Sequence, residues 1–378
     1  MSSGASSGTD NTDTAVKHAM KERIRKIFSS SNVDAFVIVN GSYPSLDPNF
    51  FHVSGILSGV FEHSIIIARK NGKATLLTSR LEKDIARKET ALDVQVFGSK
   101  EAGEAAVRNL LSGVKTVGLS GSYLSYTDYN RLCSVIKAEM KDITPAFARA
   151  RSIKDGKEIK AIEEACRISA RAAEEFPACL KEGVTERDMS AKLAELQYEM
   201  GATNIAFPPI VAFGGNASRP HHTASLRKLK KNEFVLIDFG AEYMRYASDL
   251  SRTFIFGRAS GKMKSMYAAV KEAQDAAMDV IKDGANGSDA DREARKIIDR
   301  NFKGTFIHSL GHEVGLEIHD GGVLGTNSNF PLKKNMVVTN EPGIYIPGIG
   351  GVRIEDTVLV GKGRPKILTK CSSELQEI

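Results

Sequence analysis

Two aspartates stand where apolar strands should be. Asp238 ends the run Phe234-Val235-Leu236-Ile237, and Asp249 opens a second run that closes at Phe256. A carboxylate among apolar residues is costly to bury unless a partner or a metal offsets its charge. The stretch reads as two strands joined by a bend, so the aspartates repel each other unless a cation lies between them. That chemistry is metal binding, and it requires further ligands elsewhere in the chain.

Three more candidates follow. His312 lies in SLGHEVGLEIHD between Gly311 and Gly315, residues that permit a tight turn and a close approach. Glu341 lies in VVTNEPGIYIPG, after a strand and before Pro342-Gly343. Glu355 lies in GVRIEDTVLV. There, strand alternation puts Arg353, Glu355 and Thr357 on one face and Val352, Ile354 and Val358 on the other. Taken singly, each has a plain reading: a histidine that only packs, a glutamate at a strand end, a surface Arg–Glu pair. Together they form an ordered set, Asp, Asp, His, Glu, Glu, each on or beside a predicted strand. Four carboxylates and one imidazole suit two divalent cations sharing a water, with Mn, Co, Fe or Zn allowed by the donor types. A water so held becomes a hydroxide nucleophile near neutral pH, while the second cation polarises a carbonyl.

The elements that must position these residues fall into two blocks. Strands alternate with helices from about residue 15 to 148, which predicts a small α/β domain. A helix is expected over 16–28 and a strand over 33–40. A loop is expected over 41–49, and a hairpin over 64–78 with a type I′ turn at Asn71-Gly72. Further helices are expected over 79–89, 101–112 and 127–140. After Pro145 a second domain runs over 149–378. It begins with a long helix over 158–180 and a capped one from Thr185 to Met200. Strands over 207–213, 234–238 and 251–256 follow, then helices over 262–283 and 288–301, and strands again from Val337. This domain is α+β with a largely antiparallel sheet. Residues 1–14 read as a disordered polar tail.

Composition narrows the function classes. The chain has 378 residues with 52 Lys and Arg against 46 Asp and Glu, a net charge of +6. The basic residues are scattered among acidic ones, the pattern of solvated helix faces and not of a nucleic-acid surface. Four cysteines without a CxxC pair argue against a disulfide framework and a thiolate zinc site. The N-terminal run has no apolar core of a signal peptide, and no stretch is long enough to span a membrane. A cytoplasmic protein is expected.

The stretches FPPIVAFGGNASRPHH, LIDFGAEYMRYASDLSRT, SLGHEVGLEIHD, TNEPGIYIPG and GGVRIED resemble the pita-bread metallopeptidases. That family comprises methionine aminopeptidases, Xaa-Pro aminopeptidases and Xaa-Pro dipeptidases (prolidases). The match spans the second domain in the family's order. The first domain resembles the creatinase-like N-terminal domain of the proline-specific branch, which disfavours a methionine aminopeptidase. The resemblance implies Asp238 on the first metal, Asp249 and Glu355 bridging both, and His312 and Glu341 on the second. It implies Mn or Co before Fe or Zn, and Glu341 as the base that shuttles the water's proton. His221 and His319 match two non-ligand histidines that contact substrate and oxyanion, and Arg353 an arginine that orients substrate or a ligand carboxylate. Glu313 and His222 depart from the family, which usually has a small residue or glycine at those places.

The reaction so implied is hydrolysis of a bond between a first residue and proline, in a di- or oligopeptide. Phe207, Tyr345 and Phe213 are candidates for the walls of a proline pocket. Dipeptidase is favoured over aminopeptidase by the single N-terminal domain. A homodimer is implied, with residues 43–52 as a candidate lid, and no nucleic-acid or membrane partner is expected. A non-catalytic peptide-binding relative, or a metal-free creatinase-like hydrolase, would be expected to lack the five ligands present here.

Overall fold

The computed structural model describes residues 9–378, with side chains described from Lys17 onward. Residues 1–8 of the expected tail lie outside the described residues, and the first helix is Thr9–Ser29. Two compact units divide between Arg151 and Ser152.

The first unit is built on one six-stranded sheet. Its order is Asp93–Val96, Ala74–Thr78, Ile65–Arg69, Ala35–Val39, Thr116–Leu119, Glu139–Asp142. The three central strands pair antiparallel and the outer ones parallel. Strand alternation divides the core. Phe36 and Ile38 face a cluster with Ile27, Phe50 and Phe147, while Val37 and Val39 face Ile67, Val117 and Leu132. Both faces are thus covered, as a sheet with parallel crossovers requires.

Three sequence expectations in this unit need correction. The expected helix over 127–140 stops at Val135, and Glu139–Asp142 is a sixth strand. Part of the expected loop is the buried helix Pro48–Ser54, started by Pro48 and capped by Asp47, whose carboxylate accepts from Asn49 N. The stretch 43–52 is therefore not one open loop: Tyr43 is exposed, whereas residues 47–52 are buried. At Asn71-Gly72 only Gly72 takes a positive φ (+89°). A type I′ turn needs it at both residues, so the hairpin turns differently.

The second unit sets helices against antiparallel strands. The helix Glu186–Glu199 starts from a capping box between Thr185 and Asp188. With Gly156–Glu175 it packs through Ala172, Leu193 and Leu196 against Val235, Ile237 and Phe239. The helices Gly261–Val280 and Gly287–Phe302 pack through Met266, Val270, Ala294 and Ile298 onto the opposite side, with Phe234 and Leu236. The strand Glu233–Phe239 lies between Leu250–Phe256 and Ile210–Phe213, antiparallel to both. The architecture is the expected one, an α+β unit with antiparallel sheet flanked by helices.

The link between the two aspartate strands is more than a bend. Ala241–Tyr243 and Tyr246–Ala247 form their own small hairpin, joined to Asn204–Ile205. The final strands split as well. Gly350–Arg353 pairs with Gly343–Ile346, and Asp356–Leu359 pairs with Val337–Asn340. Arg353 and Glu355 are therefore not neighbours on one continuous strand. Among the described residues, no helix is long and apolar enough to cross a membrane. The four cysteines are free; Cys133 is exposed and Cys166 is buried.

Candidate metal centre

Register places the first two carboxylates together. Asp238 pairs with Ser251 across the sheet, and Asp249 lies two residues before Ser251, so both carboxylates belong to one face. Glu355 is brought over the same face. Its N–H donates to Ser251 O at 3.1 Å, and Ser251 Oγ donates to Glu355 Oε2 at 2.6 Å. Arg252, on the other face, donates to Glu355 O and to Asp356, so the joint between the two strands is tied from beneath. Thr357 Oγ1 donates to Asp249 O and accepts from Asp249 N.

His312 and Glu341 arrive as a pair. Thr339 Oγ1 accepts from His312 N and donates to Glu341 Oε1, while Glu341 N donates to Leu310 O. Gly311 lets these segments touch, since a Cβ there would collide with Thr339 O. His312 Nε2 stands 3.5 Å from Asp249 Oδ2 and 3.4 Å from Glu341 Oε1. Its Nδ1 lies 3.1 Å from Glu313 O. A proton on Nδ1 satisfies that carbonyl and leaves the Nε2 lone pair facing the carboxylates, the orientation of a metal-binding imidazole.

Asp249, His312 and Glu355 each offer one ligand atom, and these atoms lie within 4.8 Å of one another. Asp238 Oδ1, Asp249 Oδ1 and Glu355 Oε1 are buried without a hydrogen-bond partner. Such atoms are rare because each forfeits its hydration. Burial, then the charges of Asp238 and Glu341, push the Asp249 carboxyl well above the usual range. Burial, then Asp249, does the same to Glu355. A set of hard oxygens that repel one another and lack donors is suited to divalent cations.

A cavity of about 510 Å³ opens onto this cluster. His221, His319 and Arg353 line it together with all five candidate ligands. Arg353 donates to Asp238 Oδ2 at 2.6 Å, Ser251 Oγ at 2.7 Å and the Tyr345 hydroxyl at 2.8 Å. Its side chain is 3% exposed and each guanidinium nitrogen makes a bond, so it holds a carboxylate in place. The plain reading of Arg353 and Glu355 as a surface pair fails, because both are buried.

The proline-wall candidates divide. Phe207 lines the cavity, Phe213 is wholly buried in the core, and Tyr345 lies beneath the floor with its hydroxyl engaged. The departures also settle. His222 turns from the cavity, its Nε2 2.8 Å from Glu186 Oε2. Glu186 is fully buried and accepts five hydrogen bonds, from Phe213 N, Asn216, His222, and Ser225 N and Oγ. It anchors the loop that carries His221. Glu313 is buried too, bonded to Ser152 Oγ and Gly322 N.

Sequence reasoning missed His308, which lines the cavity. Its Nδ1 is 2.8 Å from Ser309 O, and its Nε2 is 2.8 Å from the Tyr345 hydroxyl. One consistent chain of donors runs from Arg353 through Tyr345 to a neutral His308 and on to Ser309 O. Burial, then the nearby Arg353 charge, lowers the His308 pKa to about 4. The signal available was its spacing of four residues before His312.

The fold agrees with comparisons to known proteins. Residues 160–362 match the description "Metallopeptidase family M24", and residues 21–153 match "Creatinase/Prolidase N-terminal domain". The chain belongs to metallopeptidase family M24. A Xaa-Pro dipeptidase of Pyrococcus horikoshii is 36% identical over 363 residues, which cover 94% of this chain and 99% of that protein. The solved structure of a Xaa-Pro dipeptidase from Bacillus anthracis is similar with a TM-score of 0.89 and 31% identity, covering 96% of this chain and 100% of that one. An X-Pro aminopeptidase from Thermotoga maritima is similar with a TM-score of 0.85 and 31% identity, covering 92% and 98%.

Proposed function

We propose that the protein is a dinuclear metal-dependent exopeptidase that hydrolyses Xaa-Pro bonds, acting as a Xaa-Pro dipeptidase. The observation that carries this reading is the meeting of Asp249, His312 and Glu355 at one point, on a cavity also lined by Asp238 and Glu341. The near-full-length likeness to a Xaa-Pro dipeptidase supplies the substrate class. Asp238, Asp249, His312, Glu341 and Glu355 would hold the two metals, with Asp238 serving one, His312 and Glu341 the other, and Asp249 and Glu355 shared between them. The partnerless oxygens of Asp238, Asp249 and Glu355 fit this assignment. Bound there, two divalent cations, Mn or Co before Fe or Zn, neutralise the carboxylates, activate a water and polarise the scissile carbonyl.

The chain's own residues do the rest. An Xaa-Pro bond is a tertiary amide, so its nitrogen must gain a proton to leave. The Glu341 carboxylate takes the proton from the attacking water and passes it to that nitrogen. His221 and His319, on the cavity wall, orient the substrate and donate to the developing oxyanion. Arg353 fixes Asp238, and Phe207 offers an apolar face to the pyrrolidine ring. On this reading the active form is a cytoplasmic homodimer.

The likeness to an X-Pro aminopeptidase keeps one second reading. Metal-reconstituted protein should be assayed on a Xaa-Pro dipeptide and on a tripeptide that extends it beyond proline. Cleavage of the dipeptide alone is the expected result. Release of the first residue from the tripeptide replaces dipeptidase by aminopeptidase, and no cleavage of either overturns both. Sedimentation gives the oligomeric state, and elemental analysis the metal.

A further inference from the structure

Two residues of the site histidine segments turn away from the cavity toward one buried cation. Glu313 follows His312, and Asp320 follows His319. Lys154 Nζ lies 3.7 Å from Glu313 Oε1 and 3.4 Å from Asp320 Oδ2, and all three side chains are 1–2% exposed. Backbone bonds close the same loop. Glu313 N donates to Gly322 O, and Asp320 N donates to Glu313 O, each at 2.9 Å. The Glu313 carboxylate adds bonds from Ser152 Oγ at 2.5 Å and Gly322 N at 2.8 Å. A Cβ at Gly321 would sit 2.5 Å from Glu313 Oε2, so the glycine makes room for this carboxylate. On the cavity side the rings of His312 and His319 meet edge to face, with centroids 4.1 Å apart.

We infer that Lys154, Glu313 and Asp320 form a positioning triad that holds the His319 imidazole against His312. The inference rests on the reading of His319 as the group that meets the oxyanion. His312 and Glu313 are adjacent in an extended segment and point to opposite sides, and Asp320 directly follows His319, so tying Glu313 and Asp320 to one ammonium restrains both histidines. The loop needs such an anchor because it contains two consecutive glycines, Gly321 and Gly322, which add conformational freedom. Removing a cation from beside two buried carboxylates is strongly unfavourable, so a change at Lys154 is felt at both Glu313 and Asp320. None of the three lines the cavity.

The test compares wild type, Lys154→Met, Glu313→Gln and the double variant, each loaded with metal and normalised to bound metal. Lys154→Met leaves two carboxylates facing each other and displaces the loop. Its kcat on a Xaa-Pro dipeptide should fall about 10- to 100-fold with KM changed less than about twofold, the signature of an interaction made in the transition state. Adding Glu313→Gln removes one of the repelling charges and should recover about fivefold or more of that loss. Unchanged kcat in Lys154→Met, or no recovery in the double variant, overturns the triad. Glu313→Gln, which keeps volume and an acceptor, carries the test if Lys154→Met does not fold; its kcat should fall about three- to tenfold at constant KM, and an unchanged kcat overturns the triad. Crystal structures of the variants supply a readout independent of activity. The His312–His319 ring pair should open beyond its present spacing, and an unaltered pair would falsify the proposal. If wild type cleaves no Xaa-Pro peptide, the proposed function fails while the ring-pair measurement still decides the triad.

Discussion

Asp249 and His308 mark opposite electrostatic extremes of one cavity. Asp249 has a carboxyl oxygen with no donor and carboxylates around it. Asp249→Ala should therefore lose both metals and all measurable Xaa-Pro hydrolysis while keeping the far-UV spectrum of the fold. An active Asp249→Ala protein would sink the mechanism. Arg353 makes three bonds with one planar group, which a lysine ammonium cannot reproduce. Arg353→Lys should lower kcat/KM by about 100-fold through misplacement of Asp238, with metal analysis showing whether the metals remain. His308 is held neutral, with a pKa lowered to about 4 by burial and Arg353. The unfolded chain, whose histidine titrates near 6.5, binds more protons between pH 4 and 6.5. The His308 contribution to stability is thus complete above pH 6.5 and is lost as pH falls toward 4. Between pH 7 and 5 it should cost about 2 kcal/mol. Urea titrations of metal-free protein should show that His308→Gln loses less stability over this interval than wild type. Equal losses would rule out a buried neutral His308.

At the level of elements, the loop behind His221 depends on a single carboxylate. Glu186 starts a helix and gathers five donors. Burial alone would raise its pKa, but the hydrogen bonds from Ser225, His222, Phe213 N and Asn216 bring it below the usual range. Glu186→Ala should destabilise the protein by about 3 kcal/mol and speed hydrogen exchange across residues 213–225. Exchange as slow as wild type would show that the loop holds itself. Elements were legible where burial imposed a period. The strands around Asp238 and the capped helix at Thr185 carried strong apolar or capping signals and appear nearly as expected. The strand Glu139–Asp142 did not, because it is an edge strand with mostly exposed side chains and no apolar alternation. The helix Pro48–Ser54 was hidden by two prolines, one of which starts it. The five carboxylate and imidazole positions could be named because their types are costly inside a protein. Lys154, Glu186 and His308 could not, since their roles come from partners far away in sequence.

At the scale of the whole chain, each unit has its own core, so a single unfolding free energy need not describe the protein. The four free thiols divide usefully between them. Cys133 lies exposed in the first unit, whereas Cys166 is wholly buried in the second, in the helix Gly156–Glu175. Burial also pushes the Cys166 thiol up, away from its reactive thiolate form. The pair therefore works as a built-in clock. A thiol reagent should modify Cys133 at once and Cys166 only as fast as the second unit opens. Divalent metal should slow the second reaction in proportion to its hold on the folded state and leave the first untouched. The protein thus reports metal occupancy as a labelling half-life, without any substrate being turned over.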